Sequence, residues 1–475
     1  MKKRLILLFI LFLFLFACSQ NIRILHTNDS HAAYEPHYDG IGGYLALEYH
    51  LNQEREGAEN HLYLDAGDMQ TGSIFSSLEY QGLRGGAILE VFDRLQLDAS
   101  TLGNHEFDIS FEHAEALVQN SPFPVLSANL LTEDGESFGT EPYKVFTRGK
   151  IKIGVMGLTI DSLPLRVKPE NVEPLTILPY LDALDKYLPK LRAESDITIL
   201  LTHNGWEADS LLATQIDGGV DMIIGGHSHI AIDSPLKINN IYIASAGSHL
   251  RYLGEIDLKV KRGKIKNYEN RLIPLSQPTK DYESELKDFL NETIGEMERE
   301  LSKPAGILPF DFVVNKFAIT KGTSWIANAI NEEYPQAQLA MINNGGLRKS
   351  LPAGEVSLRE LHEYIPFGNT VVIFSLYGKD IIAAEELNKQ LLIDRPHDIM
   401  TLNIPGWLVE DEKLTIAGKE IVPDKIYRVV SHDYILSQWD KYIGGKPFDI
   451  EDTGNLFLDG IINQAGKTLE DSPSR

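Results

Sequence analysis

Ile22-Arg23-Ile24-Leu25-His26-Thr27-Asn28-Asp29-Ser30-His31 is a short apolar run that stops abruptly in a cluster of histidine, asparagine and aspartate. Its apolar half reads as a buried strand. Its polar half falls where the chain leaves that strand, which is where α/β sheets present ligand-binding groups. The arrangement recurs in Asp65-Ala66-Gly67-Asp68, Gly103-Asn104-His105-Glu106-Phe107-Asp108, Thr202-His203-Asn204 and Gly225-Gly226-His227-Ser228-His229. Strands are expected over 22–25, 62–65, 151–158, 197–202, 221–224 and 241–244, alternating with helical stretches from Asn21 to about Arg271. That alternation predicts an α/β domain on a mostly buried sheet.

A single histidine at a turn says little, since buried or surface histidines are common. Five turns carrying carboxylate oxygens and imidazole nitrogens form a donor set suited to Zn²⁺, Mn²⁺ or a similar divalent ion. Taken in order, D-x-H, G-D, G-N-H-E/D, H and G-H-x-H resemble the signature of the calcineurin-like metallophosphoesterases. The resemblance implies that Asp29, His31, Asp68 and His229 ligate one divalent ion and that Asp68, Asn104, His203 and His227 ligate a second. Asp68 would bridge them, because two divalent ions about 3.5–4 Å apart repel strongly unless an anion sits between. Such a pair acidifies a water for in-line attack on phosphorus, so inversion without a phosphoenzyme is expected. His105 is implied as a catalytic histidine over the metals, paired with Asp108, to stabilise the phosphoryl oxygens or protonate the leaving group.

Beyond this region, Tyr282, Leu286, Phe289, Leu290, Ile294, Met297 and Leu301 recur at spacings of three and four between Pro278 and Pro304. They predict an amphipathic helix, either an interdomain connector or a helix of the first domain. A second α/β pattern follows, with strands over 339–342, 370–376 and 427–431 and a tail expected to fray after Asn463. Asn343-Asn344-Gly345-Gly346-Leu347-Arg348 and Pro366-Phe367-Gly368-Asn369 resemble motifs of the 5′-nucleotidase C-terminal domain. With both halves in order, the chain resembles the bacterial periplasmic 5′-nucleotidase/UDP-sugar hydrolase and ecto-5′-nucleotidase family. The implied fold is an N-terminal four-layer αββα metallophosphoesterase sandwich joined by a helix to a C-terminal α/β substrate-binding domain. The expected boundaries are a signal peptide at 1–17, the metallophosphoesterase domain at 18–278, a helical linker at 279–309 and the substrate-binding domain at 310–475.

The family resemblance makes Arg348 a phosphate contact, Asn343 a base contact, Phe367 and Tyr434 the two sides of an aromatic clamp, and Asp440 a ribose contact. Stacking on aromatic rings is worth about 1–3 kcal/mol per base and tolerates any base. Two departures stand out. Gln438, Trp439 and Lys441 surround Asp440 where the family has glycines, and Lys316 or Lys321 stands where it has a further arginine, which would bring the bidentate fork that lysine lacks. The implied activity is two-metal release of phosphate from nucleotides. A 2′,3′-cyclic nucleotide phosphodiesterase, a UDP-sugar hydrolase or a sulfur-ester hydrolase on the same fold stays open, as does a non-catalytic nucleotide-binding surface lipoprotein.

Composition bounds these readings. The 475 residues are 43% hydrophobic and 24% charged, which fits two or three globular domains and excludes a multi-span membrane protein. A net charge of −24 opposes binding of nucleic-acid polymers, whereas bound metal ions can invert the local field for a small nucleotide. Lys2, Lys3 and Arg4 precede an apolar run over 5–17 that is too short to span a bilayer and fits a secretory signal. Leu15-Phe16-Ala17-Cys18 resembles a bacterial lipobox, which makes Cys18, the only cysteine, a lipidation site; an ordinary signal peptide is the alternative. Export with a lipid anchor in the cell envelope is expected, and Ser19-Gln20 resembles outer-membrane sorting. Oligomeric state is not legible.

Overall fold

The computed structural model describes residues 19–37, 39–315, 318–394, 402–403, 407–410, 413–416 and 419–470. The expected signal segment, Cys18 and Lys316 lie outside the described residues. The chain divides into two compact units: Met1–Thr71 with Phe75–Asn291, and Glu292–Arg475 with Gly72–Ile74. The main division falls inside the amphipathic helix, which spans Glu285–Leu301.

In the first unit the sheet strands are β1 (Gln20–Thr27), β2 (His61–Asp65), β3 (Ala99–Thr101), β4 (Val125–Leu126), β5 (Tyr143–Arg148) and β6 (Ile151–Thr159). They continue as β7 (Ile197–His203), β8 (Met222–Gly225), β9 (Leu236–Ile238), β10 (Ile241–Ala244), β11 (Tyr252–Lys261) and β12 (Lys264–Pro274). Two six-stranded sheets result, ordered β12-β11-β1-β2-β3-β4 and β9-β10-β8-β7-β6-β5. In the first sheet β1, β2, β3 and β4 run parallel and β11 and β12 pair antiparallel at one edge; in the second the central β10, β8, β7 and β6 are parallel, with antiparallel pairs at both edges.

The near-continuous apolar runs follow from burial on both faces. Ile24, Leu62 and Leu64 of one sheet share a core with Ile153, Val155, Ile199, Leu201 and Ile224 of the other. The alternate residues Met156, Leu158, Leu200 and Ile223 pack instead with Leu184 and Leu191 of the helix Tyr180–Glu194 and Leu212 of the helix Trp206–Gln215. Helices Tyr44–Glu56 and Gly86–Arg94 contribute buried Tyr44, Leu47 and Phe92, completing the four layers. Each such aliphatic or aromatic side chain stabilises the fold by about 1.5–3 kcal/mol relative to exposure.

In the second unit, β13 (Leu339–Ala340), β14 (Thr370–Tyr377), β15 (Ile426–His432) and β16 (Phe448–Leu456) form a sheet ordered β13-β15-β14-β16. Val371, Ile373 and Val430 face one core with Ile326 and Ile330, while Val372, Phe374 and Val429 face another with Ile381 and Ile435.

Three expectations need correction. The strand expected over 339–342 is two short strands in different sheets, Leu339–Ala340 and Ile342–Asn343. The tail expected to fray after Asn463 continues, as far as the described residues go, a helix over Phe457–Glu470, because Phe457, Leu458, Ile461 and Ala465 recur at helical spacing and are buried. The hairpin β11–β12 was not expected as strands, because its buried Ile256, Leu258 and Val260 alternate with Asp257, Lys259 and Lys261 and never form an apolar run. Among the described residues, no helix is long and apolar enough to cross a membrane.

Candidate metal centre

The turns that leave β1, β2, β3, β7 and β8 meet at one place, and the backbone there is unusual. Asp29, His31, Asp68, His227 and His229 all have positive φ, between 49° and 78°. Left-handed non-glycine residues cost of order 1–3 kcal/mol each and persist only where the surroundings over-determine them. Here they are held by cross-bonds. His31 N donates to the Asp68 carbonyl at 3.0 Å, Asp29 N to the Gly67 carbonyl at 2.9 Å, and His227 N to both Asp29 carboxylate oxygens at 3.0 and 2.9 Å.

Seven expected ligands are brought together. Asp29, His31 and His229 converge as one potential metal-binding group, Asp68, His203 and His227 as a second, and His31, Asp68 and His105 as a third. His229 Nε2 lies 3.3 Å from Asp29 Oδ1, and His203 Nε2 lies 3.1 Å from Asp68 Oδ2. His31 Nε2 and His229 Nε2 are 3.1 Å apart. Asn104 sits beside this group, its backbone turn accepting Phe107 N at 3.0 Å, and its buried Oδ1 has no hydrogen-bond partner.

These residues fit divalent ions. An orphaned amide oxygen in a buried acidic pocket is the kind of group a cation satisfies. Outer contacts orient the imidazoles: His31 Nδ1 donates to the Thr71 carbonyl at 2.9 Å and His203 Nδ1 to the Ala66 carbonyl at 2.7 Å, which points each Nε2 lone pair at the centre. Glycine is demanded at two wall positions. A Cβ at Gly103 would meet Asp68 Oδ1 at 2.1 Å, and one at Gly226 would meet the Ala66 carbonyl oxygen at 2.7 Å.

Electrostatics point the same way. Burial pushes the His31 imidazole well below its usual range and His227 down to about 4, so both are neutral, as metal ligation requires. Burial works against a charge on Asp68, but His203 and His105 outweigh it and hold the carboxyl well below the usual carboxylate range. Burial likewise opposes a charge on His203, yet Asp68 and Asp29 outweigh it and push the imidazole up to about 10. A proton between His203 and Asp68 meets the same demand for positive charge that a metal ion would.

His105 lies over this centre, its ring 5.1 Å from that of His31 and its N donating to Asp68 Oδ1 at 2.8 Å. Its Nδ1 donates to Asp108 Oδ2 at 2.7 Å, so the structure pairs the two residues. Sequence reasoning assigned no role to Glu106, which is buried and accepts N–H groups from Gly103 at 2.7 Å, Met69 at 2.9 Å, and Asp68 and Gln70 at 3.2 Å. It ties the Asp68 turn to the Asn104 turn; burial and then the Asp68 charge raise its pKa. Asn28, which holds the turn after β10 through Ala246 N and the Gly247 carbonyl, was missed as well. The signal for Glu106 and Asn28 was present, since both lie inside motifs already singled out.

In the second unit the expected substrate residues fall into two local groups. The Arg348 guanidinium is exposed and lies 5.0 Å from the centre of the Phe367 ring. Asn343 is 4% exposed and its Oδ1 accepts from His432 Nε2 at 2.9 Å, so this side chain braces the wall. Tyr434 is half-buried, 6.3 Å ring to ring from His432. Asp433 Oδ1 accepts from both Asn369 Nδ2 at 2.7 Å and Tyr434 N at 2.8 Å, which ties the Phe367 loop to the start of the Tyr434 turn. Asp440 is exposed, its Oδ1 accepting from Lys441 N at 3.0 Å. His432, Asp433 and Asn369 had no expected roles; contacts across strands made them visible.

Comparison with known proteins agrees with this geometry. Residues 22–231 match the calcineurin-like phosphoesterase family model and residues 311–444 the 5′-nucleotidase C-terminal domain model. A 5′-nucleotidase of Vibrio cholerae is 26% identical over 89% of this chain and 85% of its own length. Protein UshA of Escherichia coli is 26% identical over 94% of this chain and 90% of its own. The crystal structure of a 5′-nucleotidase precursor from Thermus thermophilus superposes with a TM-score of 0.81 at 21% identity, covering 94% of this chain and 96% of that one.

Proposed function

The chain belongs to the 5′-nucleotidase family and is a metal-dependent phosphoric ester hydrolase, and from that premise we propose that it removes phosphate from extracytoplasmic nucleotides at a two-metal site. The observation that carries the reading is the convergence of Asp29, His31 and His229 beside Asp68, His203 and His227, with the His105–Asp108 pair against them. Asp29, His31, Asp68 and His229 would hold one ion, and Asp68, Asn104, His203 and His227 the other. Bound there, two divalent ions supply an acidified water and neutralise charge developing on the phosphoryl oxygens. Asp68 keeps the two donor groups in register through its bonds to the His105 amide and to Glu106. His105, its ring oriented by Asp108, delivers a proton to the leaving oxygen or a hydrogen bond to the phosphoryl group. In the second unit, Arg348 beside Phe367 would receive phosphate, with Phe367 and Tyr434 stacking on the base and Asp440 meeting the ribose. Asn343, being buried against His432, would support that pocket from behind.

A second reading keeps the chemistry and changes the substrate to a 2′,3′-cyclic nucleotide or a UDP-sugar. It is motivated by Trp439 and Lys441 flanking the exposed Asp440, where bulk replaces the family's glycines. Phosphate release from 5′-AMP, 2′,3′-cyclic AMP and UDP-glucose, measured on protein loaded with Mn²⁺ or Zn²⁺, separates the two. Preference for 5′-AMP supports the nucleotidase; preference for either other substrate selects the second reading.

For location, the basic-then-apolar N-terminus and Cys18 support export and lipid anchoring to the cell envelope. Intact-mass analysis of membrane-fraction protein is expected to show an acylated N-terminal Cys18, and Cys18→Ser to move the protein to the soluble fraction. An unmodified chain in both variants would remove the anchor.

A further inference from the structure

Among the described residues, four histidines adopt a left-handed backbone: His31, His227, His229 and His249. The first three belong to the metal centre. The fourth lies in the turn after β10, and that turn is built with the same redundancy. Ala246 bridges Ala231 just beyond His229, and Gly247 N donates to the Ile230 carbonyl at 3.1 Å, so the His229 and His249 turns run side by side. Asn28 clasps the turn from β1, its Oδ1 accepting from Ala246 N at 2.7 Å and its Nδ2 donating to the Gly247 carbonyl at 2.6 Å. His249 N donates to the Asp29 carbonyl at 2.7 Å, and His37 Nε2 donates to the His249 carbonyl at 3.0 Å. Both His249 and Leu250 are left-handed, at φ 53° and 52°, a strained pair held by this network.

The result is a half-buried imidazole set against the ligand rings, 4.8 Å from His31 and 5.5 Å from His229 between ring centres. Among the described residues it belongs to none of the potential ligand groups: the side chains whose donor atoms close around one point here are Asp29, His31 and His229. Ser248 Oγ lies 2.9 Å from His249 Nδ1; with the hydroxyl donating, the ring carries its proton on Nε2. His105 also lies against His31, 5.1 Å between ring centres.

We propose that His249 is a phosphate-binding residue, donating Nε2–H to a phosphoryl oxygen of the substrate over the ion held by Asp29, His31 and His229. The braced turn places a second donor beside the ligand rings, so the phosphoryl group is held by His249 as well as by His105. The proposal rests on the phosphomonoester reading of this site and deepens it by assigning a further contact to the phosphoryl group.

The test compares the full metal-loaded protein with His249→Asn and His249→Gln. Asparagine accepts the left-handed backbone but is too short to reach, whereas glutamine carries an amide donor about as far out as the imidazole. Metal content is measured by elemental analysis, inorganic phosphate binding by calorimetry, and turnover with 5′-AMP. The expected result is an undiminished metal complement in both variants. Phosphate affinity should fall at least about tenfold in His249→Asn, with partial recovery in His249→Gln and a matching rise in KM larger than the fall in kcat. Loss of one metal equivalent would make His249 a ligand and overturn the proposal, as would phosphate affinity unchanged in His249→Asn. Phosphate binding needs no turnover, so a protein that ignores 5′-AMP but loses phosphate in His249→Asn refutes the nucleotidase reading and keeps this one.

Discussion

The metal centre of the first unit and the expected nucleotide site of the second are built on different terms. Around the candidate metal centre Asp29, His31, Asp68, Asn104 and His203 are buried, His227 is half-buried and His229 exposed, and the turns beside them are cross-braced from other strands, as Glu106 braces Asp68 and Asn28 braces the turn before His249. In the second unit Arg348 and Asp440 are exposed, Phe367 and Tyr434 half-buried, and the principal tie between their loops is Asp433. Phosphoryl transfer needs groups fixed to a fraction of an ångström, while stacking on a base tolerates displacement. The contrast teaches where mutation should hurt rate and where it should hurt only affinity.

The hardest test of that contrast is Asp68→Asn. Removing the charge shared by both donor groups is expected to lower kcat by at least about 10³-fold and to reduce bound metal, read by elemental analysis beside a phosphate-release assay. A variant that keeps both ions and most of its rate would show that the first unit is not the braced centre described. His105→Ala comes next: kcat should fall by about 10²–10³-fold with metal content intact, because the residue acts on substrate and not on the ions. Loss of metal in this variant would place His105 among the ligands.

Phe367→Ala and Tyr434→Ala probe the other side. Each should raise KM for 5′-AMP by about 10–100-fold and leave kcat within a few-fold, the signature of uniform binding. A kcat collapse in either would erase the distinction between the regions.

The smallest effect concerns the scaffold next to the candidate metal centre. His26 is fully buried, burial pushes its imidazole down to about 4, and neither ring nitrogen has a hydrogen-bond partner. The unfolded chain takes up a proton near pH 6.5 and the folded chain does not, so stability falls as pH drops from about 6.5 towards 4. Between pH 7 and 5 the loss from this residue is about 2 kcal/mol. Denaturant unfolding of wild type and His26→Leu at both pH values measures it; equal pH slopes would show that His26 shares a proton acceptor in the fold.

Much of this was legible beforehand. The apolar runs marked β2, β6, β7, β8 and β10 within one residue at either end and β1 within two, because strands buried on both faces need uninterrupted apolar sequence. The turns after several of them displayed the donor atoms outright. The hairpin β11–β12 escaped because its alternation with lysine and aspartate dilutes the apolar signal. The helix Phe457–Glu470 escaped because its anchors, Phe457, Ile461 and Ala465, are sparse. His249 carried no motif at all.

Sequence by itself determined the donor chemistry: which turns carry carboxylate, amide and imidazole, in what order, and that a second α/β region follows. Only the tertiary structure decided the bracing. Asn28 meets Gly247, His227 meets Asp29 and Glu106 meets Met69 because the order of strands in the two sheets places those turns together. Local pattern reports what a residue is and whether its strand is buried. Which residue faces it from some 200 positions away follows from the packing of whole sheets.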